Sequence, residues 1–536
     1  MAEKTLGATE QAHLEKGKEF FEKKEYEKAI LEFDEAIKLD PDYARAYCER
    51  GRTYRNKGDI DRAIADLDQA IKLDPDYARA YYCRGWTYCR KEDYDSAFAD
   101  LDQAIKLDPN DANAYHTRGC AYCEKKEYEK AILEFDEAIK LDPDYARAYC
   151  ERGGAYSNKG DNDRAIADLD QAIKLDPNDA SAYYYRGCAY SNKGDNDRAI
   201  ADLDQAIKLD PDYAARAYCW RGWTYCRKED YDSAIVDLDQ AIKLDPDYAR
   251  AYCCRGWTYC RKEDYDSAIV DFDQAIKLDP NDADAYYWRG DAYDEKGDND
   301  RAIADFDQAI KLDPNFAGAY YFRGLVYYKK GDNDRAIADF DQAIKLDPNH
   351  AGAYYGRGRA YSYKDDNDLA IADFDQAIKL DPNDADTYYL RGRAYYYKND
   401  YDRAIVDFDQ AIKLDPNIVG AYRERGRAYY AKGDDDRGMA DLDQAIKLDP
   451  NHADTYYGRG LAYYDKRDYD SAIADVDKAI SLDLNSADAY DIRGQAYKAK
   501  GDYNRAIADF EAALKIDPNH TEAKEGLEEA LKAREK

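Results

Sequence analysis

Small and large apolar residues alternate along this chain at helical spacing, and the alternation itself repeats. In residues 44–77, Tyr47, Gly51 and Tyr54 recur at i, i+4 and i+7, which is one face of a helix. Gly58 then stops that helix and Asp59 caps the next. Ala63, Leu67 and Ala70 form a second apolar stripe at the same spacing. Asp74-Pro75 ends it, because the residue before a proline avoids the helical region. The stretch therefore predicts two helices of about 13–15 residues, each about 20 Å long, joined by a tight turn.

This pattern recurs 15 times. All 14 prolines sit at the Pro75 position, 34 residues apart, except that Pro211 to Pro246 is 35 and Leu484 stands where a proline is due. A fixed period of this length fixes the architecture. Units begin at 10, 44, 78, 112, 146 and 180. An extra residue, Ala214 or Ala215, aligns the seventh from 215. The rest begin at 249, 283, 317, 351, 385, 419, 453 and 487. The Gly51 and Ala70 positions hold glycine and alanine in all 15 units, and the Ala63 position is alanine except at Gly438. A large residue faces them, among them Phe33, Leu67, Phe272, Val476 and Phe510. Large against small is how helices interlock at close range. Near-copies of whole segments, such as RGWTYCRKEDYDSA at 84–97, 221–234 and 255–268, point to block duplication. Residues 1–9 read as a disordered leader. Residues 10–213 hold units 1–6, 214–282 units 7–8 and 283–520 units 9–15. Residues 521–536 read as a capping helix with Ala523, Leu527, Ala530 and Leu531 on its apolar stripe.

Tyr47, Gly51, Tyr54, Ala63, Leu67, Ala70 and Pro75, repeated over about residues 10–520, resemble the tetratricopeptide repeat (TPR) family. The resemblance implies an all-α fold: a right-handed α-solenoid superhelix of 15 helix–turn–helix units plus the C-terminal capping helix. It also implies a concave groove, lined by unit positions 2, 5, 9, 12 and 13 of the first helices, where peptides bind. One departure is regular. The family has Leu before the glycine, whereas this chain has Arg in 14 units (Arg50, Arg84, Arg118 and onward) and Lys16 in the first. The stem of that Arg is expected to pack in the seam while its head pairs with aspartates of the DLDQ or KLDP segments, a structural ladder. The clamp with which some family members hold chaperone tails needs Lys at position 5 and Asn at position 9, and no unit has both.

Charge narrows the partners. The net charge of −33 disfavours nucleic acid and anionic membranes. The first 20 residues hold no apolar run, and no apolar stretch reaches membrane-spanning length, so the chain reads as soluble and cytoplasmic. The predicted groove differs from the molecule around it. Units 1–8 place eleven basic side chains on it against two acidic ones, and units 9–15 place six against nine. Aromatic residues overlay this charge. Candidate partner-binding residues are Arg45, Arg52, Arg79, Trp86, Arg147, Arg216, Trp223, Arg250 and Trp257 in the N-terminal half. In the C-terminal half they are Tyr321, Tyr355, Arg359, Tyr389, Arg393 and Arg427. Tyr, Trp and Arg dominate interface hot spots. The expectation is a protein-interaction scaffold whose N-terminal half binds an acidic peptide segment. The alternatives are a nucleic-acid-binding solenoid, in which Trp and Arg stack bases, and a regulatory arm of an enzyme on another chain.

Catalytic chemistry finds little support. All twelve cysteines lie between Cys48 and Cys260. First helices spaced about 8–10 Å apart would keep equivalent cysteines from converging on a metal or a disulfide, leaving free, partly exposed thiols. Asp298–Asp300 and Asp332–Asp334 lack the glycine and glutamate of a calcium loop and read as helix caps. No phosphate loop, serine elbow or His-Cys pair emerges, so no enzyme, cofactor or metal is expected.

Overall fold

The structure is a computed structural model that describes residues 2–211, 213–482 and 485–535. Leu484 lies outside them. The described residues form 31 helices and no strand, paired as 15 helical hairpins followed by a last single helix.

The unit first recognised at 44–77 shows how sequence becomes hairpin. Its first helix, Ala44–Lys57, ends at Gly58, whose φ of 93° reverses the chain. The second, Ile60–Leu73, starts where the Asp59 side chain accepts a hydrogen bond from the Arg62 N–H. It stops at Asp74, which turns extended ahead of Pro75. The expected caps at Asp298 and Asp332 likewise accept from Arg301 and Arg335 N–H groups. Between the two helices, a Cβ added at Gly51 would lie 2.9 Å from Leu67 Cγ and 3.0 Å from the Ala63 carbonyl oxygen. The glycine is therefore required by proximity. Leu67, Ala63 and Ala70 are fully buried there, and the Phe33, Phe135 and Phe272 equivalents are too.

The expected arginine ladder forms, and its partners are the two aspartates of DLDQ. Arg323 holds Asp339 of its own unit through Nε at 2.8 Å and Nη2 at 2.6 Å, and reaches Asp307 of the preceding unit through Nη1. Arg84, Arg152, Arg221 and Arg425 repeat the arrangement. Lys16 replaces it in the first unit with Glu32, at 2.5 Å. A second ladder was not anticipated. Lys57 meets Glu27, Lys91 meets Asp61 and Lys262 meets Asp232, at 3.0, 3.1 and 2.6 Å. Each joins the turn of one unit to the second helix of the unit before. Such exposed pairs are worth only about 0–1 kcal/mol each, but they recur along the chain.

Two expectations need adjustment. The helix α1 (Ala2–Glu22) includes residues 2–9, expected as a disordered leader; Met1 lies outside the described residues. The inserted residue lengthens one first helix, Ala214–Arg227, to 14 residues, with Tyr213 at its N-cap in the right-handed helical region. By its internal packing the chain forms two compact parts, residues 1–280 and 281–536. In the second part the last helix, Thr521–Arg534, buries Ala523 and Ala530 against Phe510, with Leu527 and Leu531 packed beside them.

Candidate functional site

Adjacent first helices pack in a fixed register that sequence spacing did not reveal. Unit position 12 meets position 9 of the next unit, and position 5 meets position 6. Thus Arg55 lies against Trp86, its Cζ 3.6 Å from the ring centroid. Arg52 likewise lies 4.2 Å over Phe21.

In residues 1–280 this register sorts the predicted arginines into three groups. Arg52 and Arg79 share Glu49, at 3.2 and 3.1 Å. Glu49 is only 4% exposed and occupies position 6, outside the positions expected to line the face. Counting only those positions overstated the positive charge. Arg250 stacks on Trp220 at 4.6 Å, and Trp223 and Trp257 pack ring to ring at 4.9 Å. Arg45, Arg147 and Arg216 are exposed and carry no ion pair among the described residues.

A cavity of about 1580 Å³ runs along this face between residues 52 and 213. Trp86, Arg79 and Arg147 line it, but so do Asp111, Glu124, Glu151 and Asp179. Burial raises the Glu151 carboxyl above its ordinary range, with Arg147 opposing. The wall is therefore mixed in sign, where a basic groove was expected.

In residues 281–536 the predicted tyrosines and arginines interleave. Arg359 lies 4.7 Å from the Tyr328 ring and 5.5 Å from Tyr355. Arg393 lies 5.8 Å from Tyr389, and Arg427 lies 5.8 Å from Tyr396. Arg427 also pairs with Glu424 at 3.4 Å, another buried position-6 glutamate. Tyr321 packs on His350 at 4.5 Å and is half-buried. Unit 9 gathers Asp291, Asp294 and Glu295 on one first helix, Ala283–Glu295. Burial, then Glu295 and Asp294, push Asp291 up to about 6.

Two chemical expectations fail. A His-Cys pair does exist: His116 and Cys120, one turn apart on Ala112–Glu124, bring Nε2 within 3.7 Å of Sγ. The i, i+4 spacing in the sequence could have shown it. Burial lowers His116 to about 4 and raises the Cys120 thiol well above its usual range. Both are neutral at pH 7, the opposite of an activated thiolate–imidazolium pair. The thiols are also more buried than expected, and although only equivalent cysteines were expected to stay apart, two non-equivalent ones meet. Cys219 and Cys254 Sγ atoms are 3.9 Å apart, because position 5 meets position 6 and not its own equivalent. Seven of the twelve thiols are buried and none is fully exposed. Among the described residues, no group of three or more His, Cys, Asp or Glu is placed to hold a metal, and no helix is long and apolar enough to cross a membrane.

Comparison with known proteins agrees with the hairpin geometry. A model described as "TPR repeat" matches nine segments, 17–56, 51–91, 119–160, 222–262, 257–297, 290–331, 324–364, 358–396 and 426–467. Models described as "Tetratricopeptide repeat" match 78–111, 385–418 and 453–486, and also 150–214, 487–520 and 101–133. No curated protein matches the chain. Among solved structures, the APC/C hetero-tetramer Cut9-Hcn1 is 18% identical with a TM-score of 0.47, over 91% of this chain and 96% of that one. MamA is 31% identical with a TM-score of 0.30, over 32% of this chain and 92% of that one. The family models together cover most of the sequence, and this chain belongs to the tetratricopeptide repeat family.

Proposed function

We propose that the chain is a non-catalytic protein-interaction scaffold that holds an extended partner segment along its first helices. One observation carries the reading: Arg45, Arg147 and Arg216 stand exposed and unpaired on the same face, while the arginines before each glycine are consumed by the ladder. Exposed guanidiniums without an ion pair are the side chains that anchor the carboxylates of a partner.

The partner of the N-terminal half carries single acidic residues, spaced apart. A continuous acidic run would be repelled by Asp111, Glu124, Glu151 and Asp179, which share the cavity. In the C-terminal half, the alternation of Arg359, Arg393 and Arg427 with Tyr328, Tyr355, Tyr389 and Tyr396 favours a segment with aromatic or planar groups as well as carboxylates.

Selection of displayed random peptides on the full chain tests this. Enrichment of sequences with isolated Asp or Glu, lost when Arg45, Arg147 and Arg216 are all changed to Glu, supports the reading. Enrichment that is indifferent to charge, or unchanged by those substitutions, contradicts it.

A further inference from the structure

One buried cation in the cavity wall has no anion beside it. Arg55 is the largest fully buried side chain, 1% exposed. Its Nε and Nη2 reach only the Asn56 side-chain oxygen, at 3.3 and 3.4 Å, and its Nη1 has no hydrogen-bond partner. No carboxylate pairs with it among the described residues. Trp86 lies over the guanidinium and lines the same cavity. Burial, with the like charges of Arg52 and Arg90 adding to it, holds the guanidinium below its ordinary pKa. Buried charges in folded proteins are paired, so an orphan of this kind calls for a ligand.

The surroundings specify the ligand's charge. Arg52 is already engaged by Glu49. Arg90 is exposed, donates only to the Arg55 carbonyl oxygen at 3.5 Å, and has no carboxylate partner among the described residues. Two adjacent guanidiniums are therefore unneutralised. A carboxylate would neutralise one of them. A phosphomonoester carries about −1.5 to −2 at neutral pH and three acceptor oxygens, and it suits the planar fork of Arg.

We propose that Arg55 and Arg90 form a receptor for the phosphoryl group of a phosphorylated side chain in the partner segment, with Trp86 covering Arg55 until that group is seated. The assignment rests on the reading that a protein segment lies along this face. It places one concentrated dianion at one end of a cavity whose other walls, at Asp111 and Asp179, repel an acidic run.

The test uses the full chain and two capped peptides, Gly-Asp-Gly-Ser-Gly-Asp-Gly and its phosphoserine form, titrated calorimetrically at constant ionic strength. The expected result is at least ten-fold tighter binding of the phosphorylated peptide, with that difference lost in Arg55→Met. Circular dichroism checks that the variant folds. Arg90→Gln, at an exposed residue, keeps the test open if it does not, with an expected loss of three-fold or more. Equal affinity for the two peptides, or a preference that survives both substitutions, overturns the phosphoryl site while leaving the scaffold reading in place. Failure of both peptides together with failure of peptide selection overturns the scaffold reading, and this site with it. Inorganic phosphate distinguishes the source: displacement only at concentrations well above that of the phosphopeptide supports a phosphorylated segment, and equal potency overturns it.

Discussion

Arg50 holds Asp66 through two parallel hydrogen bonds of 2.7 Å, and its third nitrogen reaches Asp34 of the preceding unit at 2.5 Å. Each such arginine therefore closes its own hairpin and ties it to its neighbour. The aspartate of the hairpin is nearly buried, as Asp339 is beside Arg323.

Removing one partner of such a pair leaves a buried carboxylate without a counter-charge. Arg323→Leu is expected to cost about 3–5 kcal/mol in the affected units. Adding Asp339→Leu should restore most of it, because apolar replacement of a whole buried pair is close to neutral. Repeat chains do not unfold as one unit, so hydrogen exchange resolved by segment is the measurement.

Gly51→Ala places a methyl group against Leu67 and the Ala63 carbonyl, where there is no room for it. The expected loss is about 1–3 kcal/mol from overpacking. Gly458→Ala, whose added Cβ meets only Leu442 at 4.0 Å, should be tolerated. Thermal melting of the two variants side by side separates the cases.

The turn between helices uses glycine in some units and strained residues in others. Gly58 has φ 93°, whereas Glu92, Glu229 and Glu263 adopt φ near 60° without glycine's freedom. Glu92→Gly is expected to stabilise its unit by up to about 1 kcal/mol, because a left-handed backbone penalises a Cβ. A lower melting temperature in this variant would contradict that.

His116 gives a pH signature. The unfolded side chain takes up a proton near 6.5, the folded one only near 4, because burial among Phe135 and Tyr145 excludes the charge. Between these values the unfolded state binds more protons, so stability falls as pH drops from 6.5 to 4, by about 3 kcal/mol in all. His116→Phe should remove that component from the pH dependence of unfolding.

The hairpin was legible because it is local. Gly51, Ala63, Ala70 and Pro75 act within one 34-residue unit, so periodicity alone placed them. The arginine ladder was legible in kind, because an Arg in a small-residue seam has few places to send its head. What escaped was register between units. Glu49 meets Arg79, Cys219 meets Cys254 and Lys57 meets Glu27 across 30–35 residues. Those meetings depend on how one hairpin rotates against the next, which no single repeat encodes. The face's charge was misjudged for that reason: position 6 lies at the seam between units, and its glutamates were not counted.

The most direct test is fluorescence anisotropy of a labelled peptide with spaced Asp residues, measured on the full chain at about 50 and 200 mM salt. Binding is expected to weaken several-fold at the higher salt, because exposed charges are screened. The Arg45, Arg147 and Arg216→Glu triple variant should lose it at least ten-fold at the lower salt. Binding that ignores both salt and the triple substitution would contradict an electrostatic scaffold on this face.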